Sequence, residues 1–266
     1  MRGISAKSLA EVLSAVDAVK GSAGDVGPVL FEVVATLDRE PALRRVLTDP
    51  STEDQAKAGL AESVFGSQIS ADALSVVTTA VRGRWASGRD LTDGLETAGV
   101  TALVIAADSA GELDAVETEL FEIGRLVRSD AELRETVSDR GIAPEAKGSL
   151  LASLLQGKVS ATTLALATQA AAARKGSFEK ALAEFGETAA ARRNRLLAEV
   201  RVAYELSDDE KNRLAAALGK KYGRDVHLNI VVDPSVIGGI TVSVAGEVVD
   251  GSMSTRLEVA RRRLAG

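Results

Sequence analysis

The chain contains no cysteine and a single histidine, His227. The first absence removes disulfides, thiolate nucleophiles and cysteine-based zinc sites. The second removes HExxH and multi-histidine metal centres. Basic residues are outnumbered, 32 Lys and Arg against 38 Asp and Glu, for a net charge of −6. A protein that grips phosphates usually carries a basic excess, so no nucleic-acid partner is expected. The same deficit argues against attraction of the whole molecule to an anionic membrane surface. No apolar run approaches the roughly 18 residues that cross a bilayer, so direct membrane insertion is not expected. The start, "MRGISAKSLAEVLSAV", places Lys7 and Glu11 inside its apolar pattern. It reads as an amphipathic helix and not as a signal peptide, and a cytoplasmic location is expected.

What is present is aliphatic. Hydrophobic residues make up 45% of 266 positions while aromatics make up 3%, so the core must be built mainly from Ala, Leu and Val. Ala and Leu favour helix. The length allows one large domain or two to three smaller ones.

The chain echoes itself at a spacing of 90 residues. "LFEV" at Leu30 returns as "LFEI" at Leu120, and "ALRRVLTD" at Ala42 returns as "ELRETVSD" at Glu132. "AKAGLAESVF" at Ala56 is answered by "AKGSLLASLL" at Ala146, and "SADAL" at Ser70 by "SATTL" at Ser160. Without any gap, 17 of the 58 positions in 30–87 match 120–177, against about five expected from composition. An ungapped register of this length implies a duplicated unit. Leu60 and Leu150 are then expected at equivalent core positions, as are Leu74 and Leu164.

Each copy reads as helices. Leu9, Leu13 and Val16 form an apolar stripe, and Val29, Leu30, Val33, Val34 and Leu37 form another that stops before Pro41. "GSAGDVG" at 21–27 reads as a connector. Acidic residues open the helix after Pro50, Ser70 and Ser160 are candidate N-caps, and Pro144 suits a first helical turn. Over 89–110, Leu103 and Ala106 echo Leu13 and Val16, so one helix can serve both copies.

After Glu199 the period changes to two, with Val200, Val202 and Tyr204 alternating. Ser207 and Glu210 form a capping box, Leu214, Leu218 and Tyr222 share one helix face, and Gly223 suits a C-terminal stop. Val226, Leu228, Ile230 and Val232 alternate, as do Ile240, Val242 and Val244. Gly246-Glu247 can turn the chain into "VVDGS", and "STRLEVARRRLA" reads as a closing helix. The fold class is therefore mainly α with a small C-terminal α+β domain: a duplicated helical bundle, then strand, helix, strand, strand, helix. The expected domains are 1–105, 106–195 and 196–266.

Catalytic patterns are missing. The glycines of "VVDPSVIGGITVSVAGEVVDGSM" satisfy neither GxxxxGK[ST] nor a GxGxxG that opens a helix. They suit strand bulges and turns instead. His227 has no triad neighbours and reads as a surface strand residue. "RRNR" at 192–195 and "RRR" at 261–263 fit either a solvated helix face or a patch for an acidic partner. Trp85 is expected to pack between helices. No cofactor and no metal site is expected.

The C-terminal stretch resembles the δ subunit of bacterial F-type ATP synthases, the family of the oligomycin-sensitivity-conferring protein. The residues that carry the likeness are Asp233-Pro234 after Val232, Ile237-Gly238-Gly239, and Asp250-Gly251-Ser252. Gly246-Glu247 stands where the family has a Gly-Asp-type turn. The doubled helical region resembles actinobacterial versions of the subunit. The resemblance implies a non-catalytic stator at the cytoplasmic face of the cell membrane. The helical bundle would grip N-terminal helices of the α subunits, and the C-terminal domain would grip the b subunit of the peripheral stalk. It also implies an α-subunit groove between Leu9, Leu13 and Val16 on one helix and Leu74, Val77 and Val81 on another. Two other classes stay open at this level: a helical scaffold unrelated to the synthase, and an enzyme whose convergent polar site has no sequence signature.

Overall fold

Eleven helices lead the chain in a computed structural model that describes all residues except 2, 140, 173, 175, 193–194, 224, 235, 237–239, 245–246 and 251–266. α1 (Ile4–Ala18) passes through a short 3-10 turn into α2 (Ala23–Arg39). α3 (Pro41–Thr48), α4 (Asp54–Phe65), α5 (Ala71–Arg82) and α6 (Gly88–Ala110) follow. Then come α7 (Leu113–Ser129), α8 (Ala131–Ser138), α9 (Pro144–Leu155), α10 (Ala161–Ala170) and α11 (Phe178–Arg192). The starts of α2 to α6 recur in α7 to α11 at an offset of 90 each time.

Local chemistry sets these starts. The Ser70 and Ser160 side chains accept hydrogen bonds from the N–H groups of Ala73 and Thr163, so both are N-caps. Pro144 opens α9, where its missing N–H costs nothing. Asp49 and Asp139 each accept from the N–H two residues on, Ser51 and Gly141, which shapes the same turn twice. Burial recurs as well: Leu30 and Leu120, Leu37 and Val127, Leu47 and Val137, and Val76 and Leu166 are all core. Leu60 and Leu150 share one environment, as do Leu74 and Leu164, but these four are half-buried. They lie at the rim of the core and not at its centre.

α6 is the axis of this region. It runs unbroken for 23 residues, from the Ser87 cap to Gly111 in the left-handed conformation at φ 74°. Leu91, Thr92, Leu95, Ala98, Val100, Leu103, Val104 and Ile105 are buried around most of its circumference, the mark of a helix covered by neighbours. It packs on α1, α2, α3 and α5, and also on α7 and α10. The boundary expected at 105/106 therefore falls inside one continuous helix, and Met1–Thr188 forms one compact unit. α2 and α6 approach closely where glycine faces glycine. A Cβ on Gly27 would lie 3.0 Å from the Gly99 oxygen, and one on Gly99 would lie 3.1 Å from the Gly27 oxygen.

Two local expectations differ from the structure. The segment 21–27 is a connector only as far as Ser22; α2 begins at Ala23 and contains Gly24, Gly27 and Pro28. Tertiary packing against α6 overrides the weak propensity of those residues. On α1 the buried face is Ser5, Ser8, Val12 and Val16, so Leu9 and Leu13 flank the core stripe. Two buried serines disguise that face in the sequence, and both are paired. Ser8 Oγ donates to the Arg84 carbonyl at 2.6 Å; Ser5 Oγ donates to Asp90 at 2.5 Å and accepts from the Ala86 N–H at 3.0 Å.

The second unit, Ala189–Gly266, holds β1 (Arg195–Val202), α12 (Asp208–Tyr222), β2 (Asp225–Val232), β3 (Ile240–Val244) and β4 (Glu247–Asp250). The sheet order is β2-β1-β3-β4. β1 pairs parallel with β2, the crossover being α12, and antiparallel with β3; β3 pairs antiparallel with β4. Ala198, Val200, Val202, Val242 and Val244 form the core, with Leu206 and Leu218; Leu214 and Tyr222 pack beside them. The expected capping box at Ser207 and Glu210 is present, and Gly223 ends α12 at φ 68°. Tyr204 lies beyond the end of β1 and is exposed, so the alternation expected there stops at Val202. The expected closing helix lies outside the described residues. Among the described residues, no helix is long and apolar enough to cross a membrane.

Candidate functional site

The groove expected from the resemblance divides into a floor and a rim. α1 and α5 pack directly on each other. Val16, Val77 and Val81 are 0% exposed, so they belong to the core and cannot themselves line an open groove. Leu9 and Leu74 are half-buried against that core, and Leu13 is half-buried on the same helix as Leu9. They are the residues of the expected set that an incoming apolar side chain can reach. The corresponding face in the second copy is Gly99, Leu103 and Ala106 with Leu164, Ala167 and Ala171. There Leu103 is only 3% exposed. A Cβ on Gly27 of α2 would lie 2.6 Å from the Leu103 side chain, and one on Gly99 would lie 2.6 Å from Phe31. In the second copy α2 already covers this face.

A convergent polar cluster does exist, and spacing in the sequence gave no sign of it. Arg174, in the connector between α10 and α11, reaches acidic residues 78 to 136 positions away. Its Nε and Nη2 donate to Asp38 at 2.5 and 3.3 Å, and Nη1 donates to Asp93 at 3.1 Å and Glu96 at 3.2 Å. Nη2 also donates to Thr92 Oγ1 at 2.6 Å, and Gln169 donates to Glu96 at 2.6 Å. Burial pulls the Arg174 pKa down, but the Asp38 hydrogen bond and the charges of Glu96, Asp38 and Asp93 outweigh it, and the net direction is up. The guanidinium is held charged. The cleft beside it, about 90 Å³, is lined by Glu96, Val100, Gln169, Arg174 and Phe185 among others. Of its two carboxylates, Glu96 is turned onto the cation and Glu184 lies beside Lys180, and among the described residues no histidine lines it. This is the chemistry of a structural ion cluster and not of acid–base catalysis.

Two carboxylates titrate below their ordinary range, each for a local reason. Hydrogen bonds from the Ser51 side chain and N–H lower Asp49, with Lys57 and Arg45 adding smaller effects. Hydrogen bonds from the Ser207 N–H and hydroxyl lower Glu210, with Tyr204 and Arg213 contributing less. Both belong to turn and cap geometry. Trp85 is buried and donates from Nε1 to the Ala80 carbonyl at 2.8 Å. His227 is half-buried on β2. Of the motif residues, Asp233 and Pro234 follow β2, with the Asp233 N–H donating to the Val202 carbonyl at 2.7 Å. Asp250 ends β4. Ile237, Gly238, Gly239, Gly246, Gly251 and Ser252 lie outside the described residues, as does the turn at 245–246.

The family profile for the ATP synthase delta (OSCP) subunit matches residues 100–264. The chain belongs to the ATP synthase delta (OSCP) family. The δ subunit of Streptomyces coelicolor is 46% identical over 100% of this chain and 98% of its own length. That of Thermobifida fusca is 43% identical over the full length of both, and that of Streptomyces avermitilis is 49% identical over 89% of this chain and 87% of its own. The relatives thus span both helical copies, while the profile begins within α6 and takes in the second copy with the C-terminal unit. As an OSCP-family δ subunit, the chain is a non-catalytic stator component of the F-type ATP synthase, a membrane-associated complex. The scaffold unrelated to the synthase and the hidden enzyme are not favoured.

Proposed function

We propose that this δ subunit joins the catalytic head to the peripheral stalk at the cytoplasmic face of the cell membrane and resists rotor torque there. The duplicated helical region holds N-terminal helices of the α subunits, and the C-terminal unit holds the b subunit. The docking face for the α-subunit helix is the rim of Leu9, Leu13 and Leu74, over the floor of Val16, Val77 and Val81. The observation that carries this choice is the contrast between copies: Leu13 is half-buried, whereas its counterpart Leu103 is covered. An amphipathic helix laid on the rim would bury aliphatic side chains worth about 1.5–3 kcal/mol each. An exposed charge pair offers only about 0–1 kcal/mol, so apolar contact should dominate.

Leu13→Asp tests the assignment, because Leu13 flanks the core and the fold should survive. Titrating a peptide of the α-subunit N-terminus into the full chain should show a loss of at least tenfold in affinity, with circular dichroism unchanged. The start of the family profile at residue 100 favours a second reading, in which the second copy grips the head. If Leu13→Asp binds normally while Leu164→Asp does not, that second reading replaces the first.

A further inference from the structure

We infer that Arg174 is the latch that holds the two helical copies together as one mechanical unit. The inference does not depend on which subunits the chain binds. The five hydrogen bonds of its side chain match the five N–H groups of a guanidinium. Two of them grip Asp38 side by side, the fork geometry that gives an arginine–carboxylate pair its directional strength. Asp38, on α2, belongs to the first copy, and Thr92, Asp93 and Glu96 lie on α6, which both copies share. The donor stands in the connector of the second copy. The latch therefore closes on the one helix that both copies share. Gln169 on α10 adds a second bond across the same seam.

The repeat supplies an internal control. Arg84 is the counterpart of Arg174 at the offset of 90, in the connector between α5 and α6. It is exposed, and it forms no ion pair among the described residues. One inherited arginine therefore serves two situations, solvated in the first copy and about 10% exposed in the second. The node is a product of how the copies meet and not of the local turn. Lysine could not replace it faithfully, since an ammonium is a point charge without the planar fork. Removing the cation leaves Asp93 and Glu96 close together without it, a strongly unfavourable change at a buried site.

Hydrogen exchange on the full chain tests this. Arg174→Met should speed exchange in α7, α10 and α11 by roughly a hundredfold or more, while α1 to α5 stay protected. Arg174→Lys should fall between, and it serves as the reporter if the methionine variant does not fold. Arg84→Met is the reference substitution and should change little. Unaltered exchange in the Arg174 variants overturns the inference. So does uniform acceleration from α1 to α11, because the copies would then still open as one unit without the latch.

Discussion

At Gly27 and Gly99 two helix backbones pass so closely that a Cβ on either would press on the other's carbonyl oxygen, and the result can be weighed residue by residue. Helix propensity favours alanine over glycine by about 0.5–1 kcal/mol. At position 99 the added Cβ would sit 2.6 Å from Phe31 and 3.1 Å from the Gly27 oxygen. The ring can shift, but the backbone of α2 can move only by opening the seam. Overpacking of this kind costs about 1–3 kcal/mol, so the clash should win. Gly99→Ala is expected to melt several degrees lower than the wild type. Gly59 on α4 has nothing within 4 Å of the equivalent point, and Gly59→Ala should be neutral or stabilising. Equal melting temperatures for the two variants would mean that α2 and α6 are not held at this distance.

Single elements show the same division between local and tertiary causes. α12 is set by its own sequence: Ser207 caps it, Glu210 returns the bond, and three acidic residues fill its first turn. The pH response follows from the cap. Glu210 lies below its ordinary value of 4.5 in the folded chain because Ser207 donates to its carboxylate. A depressed folded pKa stabilises above the unfolded value and loses that effect as pH falls through the folded one. The stability difference between wild type and Glu210→Gln should therefore hold at neutral pH, shrink once pH drops below about 4.5 and vanish only as pH falls through the lower folded value. Thermal melts of the two proteins across that range check it; a constant difference would remove the carboxylate from the cap's energetics. α6 is the opposite case. The repeat already suggested that one helix over 89–110 serves both copies, but which neighbours bury it, α2 and α10 among them, came only from packing.

On the scale of the whole molecule, the cut that the repeat invites is the wrong place to divide the chain. A break at 105/106 severs α6 beside Leu103, Val104 and Ile105, each 3% exposed or less. Burying such side chains contributes about 1.5–3 kcal/mol apiece, against a typical net stability of about 5–15 kcal/mol. The fragment 106–266 is therefore expected to lose cooperative melting in its helical part. The fragment 1–188 should keep it, since that stretch forms one compact unit. Circular dichroism melts of the two fragments decide the matter, and a cooperative helical transition in 106–266 would show that the second copy needs only the stub of α6.

The sequence by itself determined the helix starts at Ser70, Pro144, Ser160 and Ser207, the doubled register, the capping box and the change from period 3.6 to period two. Each depends on residues within a turn or a strand of one another, where hydrogen bonds and apolar spacing are legible in order. It also carried the C-terminal motif that points to the family. Only the tertiary structure decided that Val16, Val77 and Val81 are floor while Leu9, Leu13 and Leu74 are rim, because two buried serines, Ser5 and Ser8, interrupt the apolar stripe of α1. It likewise decided the fate of two arginines that the repeat makes equal. Arg84 stays in water, whereas Arg174 is buried against Asp38, Asp93 and Glu96. No local spacing encodes that difference, since a charge is buried only where chain segments distant in sequence bring its partners.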